Sequence, residues 1–486
     1  MTETATTAEE LEAVLAAAHA ASGQWGRRPA EDRAAALVAA ADALDAAGPE
    51  LIPIAQEETN LPEARLSGEL KRTTFQLRLF AELLNDGGYL DARIDHADDA
   101  WPMGPRPDIR RVLEPLGPVL VFAASNFPFA FSVAGGDTCS ALAAGCAVVL
   151  KVHSGHPRLS AAVGRVAAAA LEGAGAPSGI LQLIYGTQAG RDAILDPRIK
   201  AGAFTGSIPG GRALFDLATS RPDPIPFYGE LGSVNPVFVT EAAAAARGAE
   251  IAAGFVASYT MGAGQFCTKP GILLVPAGSA MVSELAGTAR PAPAPLLNDR
   301  IAQGYADSLQ GLLAHDAVSP LGGTGGTTSS PPAPALNVTT AAALLADPEG
   351  LIRECFGPSA LVAAYDSEAE LLEVAGVLDG QLTATIQGED SDAVAPELVR
   401  ILADRAGRVL WNQWPTGVSV TYAQQHGGPY PATTAPTTTS VGTAGITRFL
   451  RPVAYQGLPD HLLPAALRDG NPLGVPQRIN GVLSPS

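Results

Sequence analysis

The sequence predicts an α/β protein built on a doubly wound parallel sheet. Between about 112 and 219, short apolar runs alternate with helical stretches at the spacing of βαβ units. The run 119–123 is unbroken by polar residues, as in a strand buried on both faces. The chain has 486 residues, 47% of them apolar, enough for large cores and two or three domains.

The elements follow in order. Residues 8–22 and 29–47 read as amphipathic helices, the second opening on the Pro29-Ala30-Glu31 composition of a helix start. A third helix runs over 63–84, and 86–108 reads as loop plus extended chain. Strands are expected at 119–123, 147–151, 180–184 and 201–205, with helices at 133–145, 157–173, 188–195 and 210–219. Pro157 suits a first helical turn. The second half repeats the alternation with strands at 236–239 and 271–275 around a helix at 241–260. The low-complexity stretches 289–296, 318–335 and 433–440 read as surface loops. The Pro- and Gly-rich tail past 458 is expected to wrap over another part of the molecule.

The bulk numbers exclude several functions. A net charge of −18 argues against nucleic acid, which needs a basic face. Four cysteines in so long a chain point to a reducing compartment. The acidic N-terminus does not read as a secretory signal, and no apolar run reaches the roughly 18 residues of a membrane span. A cytoplasmic protein with neither membrane nor nucleic-acid partner is expected. His153 and His156 flank a glycine without a third ligand nearby, so no metal is expected.

The chemistry gathers around Gly262–Gly271, where Cys267 sits between small residues and a Lys-Pro-Gly turn. A loop cysteine is displayed, and its thiolate is a strong nucleophile. A cysteine attacking a carbonyl needs an oxyanion donor and a base for water. Asn126, just past the first strand of the alternating region, offers the donor. Glu230, between apolar and glycine neighbours, offers a desolvated carboxylate.

Six stretches then occur in one order: SNFPFAF at 125–131, LKVHSGHP at 150–157, FTGSIPGGRAL at 204–214, GELGSVNP at 229–236, GQFCTKPG at 264–271 and ECFGP at 354–358. Together they resemble the aldehyde dehydrogenase superfamily over roughly 20–455. The resemblance implies a Rossmann-like cofactor domain (1–96 and 114–231), an α/β catalytic domain (232–440), a β oligomerisation flap (97–113 and 441–459) and a C-terminal tail (460–486). It implies that Cys267 attacks an aldehyde, that the Asn126 amide and the Cys267 N–H hold the oxyanion, and that Glu230 activates water against the thioester. Glu354 would hold the nicotinamide ribose, and Phe356 would pack near the nicotinamide. Ser207, beside Gly206 and ahead of Gly211, would meet the pyrophosphate, and Lys151 the adenosine ribose. Phe127, Phe266 and His426 are the substrate-side candidates.

Three residues after Lys151, NAD-preferring members commonly carry a glutamate; this chain has Ser154. A carboxylate there would repel a 2′-phosphate by about 1 kcal/mol or more, whereas a hydroxyl accepts it. With Lys151 and Arg191 as cations, NADP is expected to be favoured, NAD remaining possible. The stretch 411–436 resembles the branch of NADP-linked α-ketoglutaric semialdehyde dehydrogenases and a bacterial fatty-aldehyde dehydrogenase. A dicarboxylic semialdehyde is therefore the expected substrate, with a medium- or long-chain alkanal as alternative. A CoA-acylating enzyme and a non-catalytic NADP-binding protein are the remaining readings. A homodimer or homotetramer is expected. The chain departs from the commonest pattern at Ser125, where many members carry Trp, and at Ser233, where glycine is usual.

Overall fold

The computed structural model describes residues 4–322 and 330–484. Its first sheet has five strands in the order Leu181–Ile184, Val148–Lys151, Val119–Phe122, Ala201–Thr205 and Phe227–Glu230, all parallel. The central strand Val119–Phe122 is wholly buried, as it must be with helices on both faces. Helices Pro157–Gly173, Thr187–Leu195 and Ile208–Thr219 make the crossovers. The sequence places each of these elements within a few residues. It does not reveal Phe227–Glu230, because that strand carries a tyrosine, a glycine and an acid in four positions.

Four N-terminal helices pack on the same core. Thr7 and Glu10 close a reciprocal capping box on Ala8–Trp25. Helix Gly48–Thr59 was not expected, since Gly48-Pro49 and Pro53 read as breakers. Pro49 falls in the first turn, where no N–H is needed, and tertiary packing of Leu51 and Ala55 carries the rest past Pro53. The long helix Glu63–Asp86 stops at Gly87, whose φ of +74° is the left-handed turn that glycine adopts without strain.

The second sheet has seven strands in the order Ser319–Pro320, Ala335–Thr340, Ser359–Tyr365, Ile272–Pro276, Val237–Val239, Gln381–Gln387 and Ala406–Trp411. All neighbours are parallel except the first pair. The low-complexity stretch 318–335 lies partly outside the described residues, at 323–329.

The third sheet joins Leu450–Gln456, Ile109–Pro115, Ala92–Asp95, Gln477–Ile479 and Val482–Ser484. Its first two pairs are antiparallel, while Ala92–Asp95 runs parallel to Gln477–Ile479. The segment expected as a tail thus supplies two strands of this sheet. The stretch 433–440 is a surface loop only at Pro436 and Thr437: Thr433 and Thr439 are buried, Thr434 Oγ1 accepts from the Gly229 N–H at 2.8 Å, and Ser440 reaches Glu230. Threonine and serine hydroxyls satisfy buried backbone there, which a reading of composition misses. Among the described residues no helix is long and apolar enough to cross a membrane.

Candidate active site

The carboxyl ends of the first sheet's strands and the loop before Ile272–Pro276 meet in one place. The loop turns through Gly262, Ala263 and Gly264, all at positive φ. Gly264 is obligatory, because a Cβ there would stand 2.0 Å from the carbonyl oxygen of Gly357. Asn235 holds the far side of the loop, its Nδ2 donating to the carbonyl oxygens of Cys267 at 2.8 Å and Lys269 at 3.0 Å. Ser233 donates to Asn235 Oδ1 at 2.9 Å and accepts from the Leu382 N–H at 3.0 Å. The departure from glycine at 233 therefore adds a tie to the second sheet. The buried Lys269 spans to the carbonyls of Cys355 and Ser359, both at 2.8 Å.

Cys267 is partly exposed, whereas Cys139, Cys146 and Cys355 are buried. Its Sγ lies 3.4 Å from His426 Nε2. The same nitrogen lies 2.8 Å from Glu230 Oε1, and both partners are almost completely buried. Ser440 donates to the other Glu230 oxygen. Burial opposes charge on His426, but Glu230 and then Cys267 overcome it and raise the imidazole to about 10. Burial likewise opposes charge on Glu230, and the His426 imidazolium with Ser440 holds it below its ordinary value. The pair is a buried imidazolium–carboxylate facing a thiol.

Asn126 follows the strand Val119–Phe122 and donates Nδ2–H to the Gln265 carbonyl at 3.0 Å, which brings its amide beside the nucleophile loop. Its second N–H is available to a developing oxyanion. Among the described residues nothing accepts from the Cys267 N–H. Over Cys267 opens a cavity of about 380 Å³, lined by Phe127, Phe131 and Phe266 and by one face of helix Glu63–Asp86. Phe127 and Phe266 meet edge to face, centroids 5.3 Å apart.

The proposed dinucleotide contacts lie along the strand ends. Gly206 donates its N–H to the Glu230 carbonyl at 3.0 Å. Ser207 caps helix Ile208–Thr219, accepting from the Gly210 N–H, so the positive end of that helix faces the site. At Gly211 a Cβ would stand 2.1 Å from the Leu231 side chain and 3.1 Å from the Phe204 ring, so glycine keeps the helix close to both. Glu354 reaches the same corner, where a Cβ on Gly232 would lie 2.4 Å from its Oε2. Burial pushes its carboxyl up to about 7. Phe356 follows on the same loop. The half-buried Lys151 amine has no hydrogen-bond or ion-pair partner among the described residues, and burial, then Arg300, lowers it. An orphaned ammonium, a helix N-terminus and a carboxylate against glycine fit a phosphate- and ribose-bearing ligand. Ser154 is exposed on the turn after Lys151. Arg191 is exposed and follows Gly190, which packs on Lys151.

His156 is buried in hydrogen bonds to Ala124 O (2.8 Å) and Ser160 (3.0 Å) and belongs to the packing. The Glu230, Cys267 and His426 ligand atoms lie within 4.8 Å of one another, a spacing that could also hold a metal ion. Sequence spacing does not show this, since Cys267 and His426 are 159 positions apart. Sequence reasoning also missed Ser440, Thr434, Asn235, Arg300 and the helix face over Cys267. None carries a local signal; each is a common polar residue brought in by the fold.

The aldehyde dehydrogenase family pattern matches residues 1–433. An alpha-ketoglutaric semialdehyde dehydrogenase of Acinetobacter baylyi is 45% identical over 484 residues, covering 98% of this chain and 92% of the relative. Alpha-ketoglutaric semialdehyde dehydrogenase 2 of Azospirillum brasilense is 45% identical over 481 residues, covering 97% and 91%. Among solved structures, 3,6-anhydro-L-galactose dehydrogenase in complex with NAP superposes with a TM-score of 0.76 at 22% identity over 92% of each chain.

Proposed function

Because the chain belongs to the aldehyde dehydrogenase family, we propose that it oxidises 2,5-dioxopentanoate to 2-oxoglutarate, with NADP as the favoured acceptor. It is an oxidoreductase acting on aldehydes. The observation that carries the mechanism is the Cys267–His426–Glu230 arrangement, at 3.4 and 2.8 Å, under the aromatic cavity.

The thiol proton goes to the Glu230 carboxylate, since the His426 imidazolium has no lone pair to accept it, and the sulfur attacks the aldehyde carbon; Glu230 then releases that proton to solvent and is a carboxylate again before hydrolysis. The oxyanion forms between the free Asn126 N–H and the Cys267 N–H. The bound dinucleotide supplies the acceptor for the hydride that leaves this carbon. Lys151, Ser207 and Glu354 hold and orient the dinucleotide. The thioester left on Cys267 is cleaved by water, whose proton goes to Glu230. Ser440 and His426 fix the two carboxylate oxygens during that step. Since a carboxylate stands ready for water, no thiol acceptor such as CoA is required.

The substrate reading is supported by the names of the two relatives at 45% identity. Steady-state kcat/KM should be highest for 2,5-dioxopentanoate, lower for succinic semialdehyde and lowest for hexanal and longer alkanals, with no dependence on added CoA. A preference for long alkanals would replace this substrate by the fatty-aldehyde alternative.

The NADP reading is supported by Ser154 on the open turn beside the partnerless Lys151, with Arg191 next to Gly190 and Arg300 adding positive potential. The expected kcat/KM ratio favours NADP over NAD by about tenfold, the effect of about 1.4 kcal/mol. A ratio below one rejects it. For assembly, we propose a homodimer or homotetramer joined through the third sheet, whose edge strand Leu450–Gln456 is largely exposed.

A further inference from the structure

The cavity over Cys267 is lined by three phenylalanines, by Thr268, Gly417 and Val418, and by one helix, which supplies all of its charged side chains. Arg65, Glu69 and Arg72 project from Glu63–Asp86 at the i, i+4, i+7 spacing of a single face, and all three line the cavity. Two of them are already engaged. Arg65 Nη2 stands 3.4 Å from Glu69 Oε2 and donates to the Asn126 carbonyl at 3.3 Å. Its guanidinium lies over the rings of Phe127 and Phe266, at 4.3 and 4.7 Å from their centroids. Glu69 Oε1 accepts the N–H groups of Phe129 at 2.8 Å and Ala130 at 3.0 Å. That carboxylate therefore serves Arg65 and the loop that carries Asn126.

Arg72 has no such partner. Among the described residues no carboxylate, carbonyl or hydroxyl meets its guanidinium, which rests 5.2 Å from the Phe131 centroid. Two cations and one anion leave this end of the cavity with an uncompensated positive charge. A partly buried, unpaired guanidinium is costly to the fold, and the cost is relieved when an anion docks. The planar fork of arginine offers two parallel N–H groups, the geometry of a carboxylate.

Resting on the semialdehyde reading above, we propose that Arg72 is the specificity residue that binds the distal carboxylate of the substrate, with Arg65 as second cation. The aldehyde end then lies at Cys267 and the anionic end against helix Glu63–Asp86. Glu69 is a positioning residue, since it fixes Arg65 and the Asn126 loop together.

The test compares wild type, Arg72→Gln and Arg72→Lys on 2,5-dioxopentanoate and on pentanal, a neutral aldehyde with the same number of carbons. For Arg72→Gln, kcat/KM on the semialdehyde should fall by about 30- to 100-fold, the loss of a charge-assisted pair. Pentanal should stay within about twofold, since only the anionic end is affected. Arg72→Lys should recover part of the loss, keeping the charge without the fork. Glutarate, a dicarboxylate of similar length, should raise the melting temperature of wild type and not that of Arg72→Gln. Equal losses on both aldehydes, or glutarate stabilisation that survives in Arg72→Gln, would overturn the proposal. A wild type that prefers pentanal defeats the substrate reading instead, and the glutarate comparison then decides Arg72 by itself.

Discussion

Replacing Cys267 with Ala is expected to remove dehydrogenase turnover, by about 10⁴-fold or more, because the covalent route has no substitute nucleophile. Cys139, Cys146 and Cys355 are buried, and burial raises each thiol above its ordinary value, so none supplies a thiolate. The variant should fold, since the loop is held by Asn235 through the main-chain carbonyl of Cys267 and not through its sulfur. Its Kd for NADP should remain within about twofold of wild type, a few tenths of a kcal/mol. Fluorescence titration with NADP beside a turnover assay checks both halves. Undiminished turnover contradicts the nucleophile assignment. Lost cofactor binding instead means that the thiol supports the dinucleotide.

The second large effect is expected at His426. Replacement by Gln keeps a polar side chain but removes the cation that Glu230 faces at 2.8 Å. Leaving a buried carboxylate without its partner costs about 3–5 kcal/mol. The pH dependence of that cost follows from the two shifts. His426 stands above its ordinary 6.5, so its contribution is complete below 6.5 and is lost as pH rises through about 10. Glu230 stands below its ordinary 4.5, so its contribution is present above 4.5 and is lost as pH falls through the depressed value. The melting-temperature gap between wild type and His426→Gln should therefore be widest from pH 4.5 to 6.5 and close toward pH 10.

Catalysis should change in the same variant. With the imidazolium gone, burial acts on Glu230 against Ser440 and the more distant Arg448 and Arg72, and its carboxyl moves up. At pH 7, kcat should fall by about 10²- to 10⁴-fold, the ordinary contribution of a positioned acid–base group. The acid limb of the kcat profile should move toward neutrality. An acid limb that stays in place would show that His426 is a packing residue and that Glu230 works without it.

The sequence by itself determined the elements that carry their own local signal. The four strands from Val119 to Thr205 are legible because they are short, mostly apolar runs set between helical stretches, as buried parallel strands are. The cysteine loop is legible because Gly262, Gly264 and the Lys-Pro-Gly turn exclude regular structure on both sides. The ordered motifs carried Asn126, Glu230, Glu354 and Cys267 as site candidates. Only the tertiary structure decided what surrounds them. Ser440 stands in a threonine-rich stretch that reads as a surface loop, yet it donates to Glu230. Arg65, Glu69 and Arg72 lie on the helix the sequence places over 63–84, yet nothing in the helix shows that their face is the wall of the cavity over Cys267. The physical reason is the same in each case. Helix and strand periodicity reports which face is buried, whereas a site is made where faces from distant segments converge, and no single segment encodes that meeting.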